Sequence, residues 1–217
     1  VIVKEFDALT PEELKANAAD VGKAKLGELS DLYKLGCYAR MCRSKAKNLV
    51  DSRWVIRWKL VDGKEVIKVR ITMRGFSMGG AGAWHLGAHY ADQWAAVAPG
   101  AGFVDTAIYQ NIFTKEPKPT WWEQKLWRLY DVPPIAANFY NTTTVAYSVE
   151  TDKQKQAADL MAAAFKNEGM TMTHIIGPNT GHRYEPKAKL EIARQVGAAV
   201  DKGKISYSRK VRFTTYT

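Results

Sequence analysis

The chain has 217 residues, 46% apolar and 25% charged, with a formal charge of +10; this is long enough to bury a sizeable core. No window holds 18 or more uninterrupted apolar residues, which excludes a simple membrane-spanning helix. The basic excess is spread along the chain, with 16 Lys/Arg against 10 Asp/Glu in residues 1–75 and a net +4 in the remainder. It raises nonspecific affinity for polyanions and anionic surfaces without deciding a fold.

The first residues, Val1-Ile-Val-Lys-Glu-Phe-Asp, lack a basic stretch followed by an apolar run and a cleavage site, so no retained signal peptide is expected. A soluble chain of undetermined compartment is the expectation. Residues 9–35 read as helix: Thr10-Pro11-Glu12-Glu13 offers an N-cap, a proline at the first helical position and acids in the first turn. Gly22 and Gly27 weaken the middle, so one helix or two short ones fit equally. Cys37 and Cys42 lie five apart with no histidine nearby, which is neither a redox nor a zinc spacing. They are expected to be free thiols, as in a reducing compartment. Two β-rich runs, Arg53–Val61 and Lys64–Met73, flank Asp62-Gly63 and predict a hairpin. Its cations (Arg53, Arg57, Lys59, Lys68, Arg70) read as a solvated sheet face rather than a nucleic-acid surface.

After Phe76 helix and strand signals alternate. Ser77 to Tyr90 reads as helix, Trp94 to Pro99 as a short buried strand, Thr143 to Ser148 as another, Lys153 to Asn167 as an amphipathic helix and Thr171 to Ile176 as a last strand. Such alternation predicts a mostly parallel α/β sheet with flanking helices. Between them, 115–134 carries Trp121, Trp122 and Trp127 and is expected as a loop or cap over one end of the sheet. The chain thus divides into a helical segment (1–51), a hairpin leading into a strand (52–74) and an α/β region (75–217).

Gly75-Phe76-Ser77-Met78-Gly79-Gly80 follows the predicted strand Val66–Met73 and opens a predicted helix, the context in which a G-x-S-x-G turn presents a serine nucleophile. The serine there has strained dihedrals and crowded neighbours two residues either side, hence the glycines. The N–H of Met78 would be one oxyanion donor. A base and an orienting acid should follow in the order Ser, Asp/Glu, His. His85 and His89 sit on the helix after the turn and His174 inside an apolar strand; all three read as packing or surface residues. His182 lies in Gly177-Pro-Asn-Thr-Gly-His182-Arg-Tyr, directly after a strand, and is the candidate base. The acid should follow strand Val145-Ala-Tyr-Ser, where Asp152 is the candidate and Glu150 the alternative; Asp152 could equally cap the helix starting at Lys153.

These stretches, together with Ala95–Phe103 and Tyr147–Ala157, resemble the prolyl-oligopeptidase or polyhydroxybutyrate-depolymerase-like branch of serine α/β-hydrolases over residues 75 to about 217. The resemblance implies Ser77, Asp152 and His182 as a catalytic triad, Met78 as oxyanion donor, an ester or peptide substrate, and no metal or organic cofactor. Residues 23–76 instead resemble a segment of copia-type retrotransposon polyproteins, through Trp54-Val-Ile-Arg-Trp58-Lys59 and Lys68-Val-Arg70-Ile-Thr-Met-Arg74-Gly75-Phe76, without that family's catalytic aspartates. Together they suggest a chimeric sequence joined at Arg74-Gly75-Phe76.

The strands and second oxyanion loop that such hydrolases carry before the nucleophile have no counterpart in residues 1–74. Losing one oxyanion donor costs about 10²–10³ in turnover, and Val149 replaces the usual glycine of the acid loop. Three functions follow: an active serine esterase or peptidase, a silent structural subunit whose exposed sheet edge is covered by a protein partner, or, least favoured, a basic nucleic-acid-binding module.

Overall fold

The computed structural model describes residues 9–34, 51–61, 64–202 and 210–215. The two cysteines and the Asp62-Gly63 turn lie outside the described residues. The N-terminal helical stretch is two helices, α1 (Pro11–Ala16) and α2 (Ala18–Lys34). A reciprocal capping box starts α1: Thr10 Oγ1 accepts from the Glu13 N–H and the Glu13 carboxylate accepts from the Thr10 N–H. The break falls at Asn17, not at either glycine. There the backbone N–H and the side-chain amide both donate to the Glu13 carbonyl, and the residue leaves helical dihedrals.

Strand β1 (Asp51–Val61) pairs antiparallel with β2 (Lys64–Phe76), from Asp51 opposite Arg74 to Val61 opposite Lys64. β3 (Ala96–Gly100), β4 (Thr143–Val149) and β5 (Thr173–Gly177) then follow, each parallel to its predecessor, in the order β1-β2-β3-β4-β5. Only Thr72–Phe76 of β2 pairs with β3, so the hairpin runs on past the parallel sheet. The edge of β2 expected to need a partner is therefore occupied by β1 of the same chain.

Helices α3 (Met78–His89), α4 (Thr106–Gln110), α5 (Trp121–Trp127), α6 (Lys155–Asn167) and α7 (Pro186–Lys202) complete the described fold, with 3-10 segments at Ala91–Gln93, Ile112–Thr114 and Pro133–Asn141. The stretch 115–134, expected as a loop or cap, contains α5 because Thr120 and Glu123 form a second capping box there. Helix α6 starts at Lys155, two residues later than expected, because Asp152 and the two residues after it are used in a turn. Among the described residues, no helix is long and apolar enough to cross a membrane.

Side chains of the parallel strands alternate between two buried layers, as the two-residue strand period requires. On one face Ile71, Met73, Val97 and Ala146 pack with Trp84 of α3 and Met161 and Phe165 of α6. On the other, Ala96, Ala98, Val145, Tyr147 and Val149 meet Ile192, Val196 and Val200 of α7. This is the expected α/β architecture: a mostly parallel sheet between helices, preceded by helices and a hairpin.

Trp84 anchors the first layer, 1% exposed and edge-on to Phe139 at 5.9 Å. Truncating it opens a cavity that a tightly packed neighbourhood cannot close. Trp84→Ala should lower stability by about 3–5 kcal/mol, read as a lower urea midpoint at unchanged slope, whereas exposed Leu26→Ala should change it by less than about 0.5 kcal/mol.

Candidate active site

Ser77, Asp152 and His182 all follow the carboxyl ends of parallel strands β2, β4 and β5, the side of an open α/β sheet where ligands bind. Ser77 sits at φ 58°, ψ −121° between β2 and α3, a conformation that costs a non-glycine residue about 1–3 kcal/mol. The surroundings hold it there. Its N–H donates to the Gly100 carbonyl at 2.9 Å, and its carbonyl accepts from the Ala81 N–H at 3.0 Å. A Cβ on Gly75 would lie 1.9 Å from the Gly79 carbonyl oxygen, and one on Gly80 would lie 2.0 Å from that of Gly100. The turn can close only if both residues lack side chains. Among the described residues the Ser77 side chain caps nothing. Met78, the first residue of α3, has an exposed side chain and an N–H without an intrahelical acceptor, at the end of the helix whose dipole favours negative charge.

Asp152 and His182 come together across thirty residues of sequence. His182 Nδ1 lies 2.5 Å from Asp152 Oδ2, with the carboxylate 11% exposed and the imidazole 41%. The other carboxylate oxygen accepts the Gln154 N–H at 2.9 Å, so Asp152 closes a turn ahead of α6 and meets the imidazole with its remaining oxygen. Val149, at the position where a glycine is usual, is fully buried against α7 and does not keep Asp152 from this contact. Glu150 is exposed, and its side chain contacts neither His182 nor any other charged group among the described residues; only its N–H is used, donating to Gly177.

The His182 ring packs on Phe76, the residue before Ser77, at 4.8 Å between centroids. Two tyrosines that the sequence reading passed over fix this loop. The Tyr147 hydroxyl donates to the Arg183 carbonyl and accepts the Glu185 N–H, both at 2.9 Å. Tyr184 packs on both Phe76 and Tyr147 at 4.8 Å, and burial pushes its phenol pKa up. A Tyr two residues past His182 and another inside β4 were the available signals.

The other histidines lie elsewhere. His85 stacks on Tyr130 at 4.5 Å and faces the Tyr130 carbonyl; burial, then the neighbouring His89, lower its pKa. His89 Nδ1 faces the His85 carbonyl at 2.8 Å. His174 Nε2 lies 2.6 Å from Ser148 Oγ, and burial lowers its pKa. A cleft of about 450 Å³ opens between residues 102–111 and the start of α6, walled by Phe103, Ile108, Tyr109, Gln154 and Leu160. Of its lining, Gly102 lies against Gly80 and Ala81 of α3, and Gln154 is the residue whose N–H Asp152 accepts. No group of three or more His, Cys, Asp or Glu among the described residues could hold a metal ion.

The lowered pKa values of His85 and His174 fix the sign of a pH effect. The unfolded chain binds these protons near pH ~6.5 and the folded chain only below that, so stability is full above this pH and falls as the pH drops. The melting temperature should decline from pH 7 to 5, and His174→Gln should flatten that decline.

No family model and no curated protein matches this chain. Among solved structures it is similar to Porphyromonas gingivalis dipeptidyl peptidase 4, at 15% identity and a TM-score of 0.46, over 60% of this chain and 19% of that one. It is also similar to the S-formylglutathione hydrolase of Staphylococcus aureus, at 16% identity and a TM-score of 0.42 over 58% and 54% of the two chains. The S-formylglutathione hydrolase of Agrobacterium tumefaciens has the same identity and TM-score over 59% and 46%. The chain spans about a fifth of the length of the peptidase and about half that of the two S-formylglutathione hydrolases.

Proposed function

We propose that the chain is a serine hydrolase that transfers an acyl group from an ester or peptide to water through an acyl-Ser77 intermediate. The observation that carries this reading is the Asp152–His182 pair set against Phe76, next to a serine held in a strained strand-to-helix turn. Asp152 takes the Nδ1–H of His182, which leaves Nε2 as the basic nitrogen. Nε2 accepts the Ser77 proton as Oγ attacks the substrate carbonyl; catalytic hydrogen bonds of this kind often tighten only once substrate is bound. The Met78 N–H stabilises the developing oxyanion. His182 then protonates the leaving group and deprotonates the water that releases the acid. The cleft beside Gln154 and Phe103 would take an apolar part of the substrate. The copia-like hairpin has a structural purpose in this reading: β1 covers the β2 edge where further strands would otherwise lie.

One observation favours the silent structural subunit. Trp121 (69% exposed), Trp122, Leu126 and Leu129 present apolar surface on α5 and the turn after it, the kind of patch that marks a protein interface.

A fluorophosphonate probe should label the chain at Ser77, with labelling abolished by Ser77→Ala and His182→Ala and slowed on the order of 10³–10⁴ by Asp152→Asn. Folded chain that takes up no label would favour the structural subunit.

A further inference from the structure

Behind the proposed triad lies a second constellation of the same residue types. Ser148 on β4 and His174 on β5 are bonded at 2.6 Å, and the other imidazole nitrogen, Nδ1, faces Asp159 of α6 at 3.8 Å. Lys155 holds both oxygens of Asp159 at 2.7 Å. Ser148 is 0% exposed, so no substrate can reach it and it is not a second nucleophile. Its place in the chain is informative: Ser148 precedes Asp152 by four residues on one strand, and His174 precedes His182 by eight on the next.

The bond does not join residues that face each other. In the β4–β5 register His174 opposes Ala146, and Ser148 opposes Ile176. The side-chain link therefore runs diagonally, and a one-residue slip of β5 along β4 turns His174 to the opposite face and breaks it. β5 needs such a lock, because it is a five-residue strand that is paired on one side only among the described residues and partly exposed for most of its length. A slip of one residue would exchange its faces and carry the His182 loop past Asp152. Burial lowers the His174 pKa; in the tautomer with Nδ1–H toward Asp159, Nε2 accepts a hydrogen bond from the Ser148 hydroxyl. The Asp159 contact is long and its carboxylate exposed, so it adds little.

We infer that Ser148 and His174 are positioning residues, which lock β5 against β4 so that His182 meets Asp152. The catalytic consequence rests on the hydrolase reading of Ser77; the geometric one does not. The test separates the two. In NMR spectra of the full chain the His182 Cε1–H peak is assigned by its loss in His182→Ala, and Asp152→Asn defines its position when the pair is broken. Ser148→Ala and His174→Leu should each move the peak toward the Asp152→Asn position. His174→Gln, whose amide can still accept from the Ser148 hydroxyl, should keep it with the unmutated chain. Ser77 labelling by fluorophosphonate should slow roughly tenfold to a hundredfold in the first two variants and recover in the third. Peaks of Ser148→Ala and His174→Leu that coincide with the unmutated chain would overturn the inference. An unlabelled parent chain would defeat the hydrolase reading and leave the peak positions to decide this one.

Discussion

Two close backbone approaches shape the candidate site. Gly75 lies under the Gly79 carbonyl, and Gly80 lies under that of Gly100. Neither approach leaves room for a methyl group. Between them the chain turns from β2 into α3 within one residue, and that residue, Ser77, takes a left-handed φ that nothing in its own chemistry favours. The strain is offset by hydrogen bonds from both sides, to Gly100 and from Ala81, and by the burial of α3 against the sheet through Trp84. Gly100 belongs to β3, so the turn is fitted to the neighbouring strand as well as to its own helix. The serine is presented because the sheet and helix pack this closely.

The Asp152–His182 pair depends on a different set of forces. Asp152 and His182 each follow a strand end, and parallel pairing of β4 with β5 brings those ends side by side. Aromatic packing then fixes the His182 loop: Tyr147 holds the backbone on both sides of residue 184, while Tyr184 and His182 rest on Phe76. Phe76 thus joins the two halves of the site, covalently to Ser77 and through ring contact to His182. On the far side, β1 lies antiparallel along β2 and covers that edge of the parallel sheet. An antiparallel hairpin closes an edge with far less chain than the crossover connections that parallel strands demand.

Much of this was legible in the residues. The alternation of helix and strand signals after Phe76 marks the parallel sheet, and the Asp-Gly dipeptide between two β-rich runs marks the antiparallel pair. Glycines around Ser77 announced a tight turn, though only the fold shows which carbonyls they meet. Local competition decided the details that were missed: Asn17 rather than a glycine divides the first helices, since its amide competes for the Glu13 carbonyl, and a capping box at Thr120 makes helix inside an expected loop. Long-range packing hid the rest. Nothing local says that the hydroxyl of Tyr147 will bridge Arg183 and Glu185, or that Ser148 will reach diagonally to His174. Those contacts exist only once the strands are in register.

If the chain is a serine hydrolase, Ser77 must form a covalent acyl intermediate. The most direct measurement is to quench the chain during turnover of p-nitrophenyl acetate and map the acetyl group by peptide mass spectrometry. An acetylated peptide containing Ser77, formed with a burst of nitrophenolate and absent in His182→Ala, is the expected result. Nitrophenolate released only at the buffer rate, or acetyl groups confined to lysines, would contradict it.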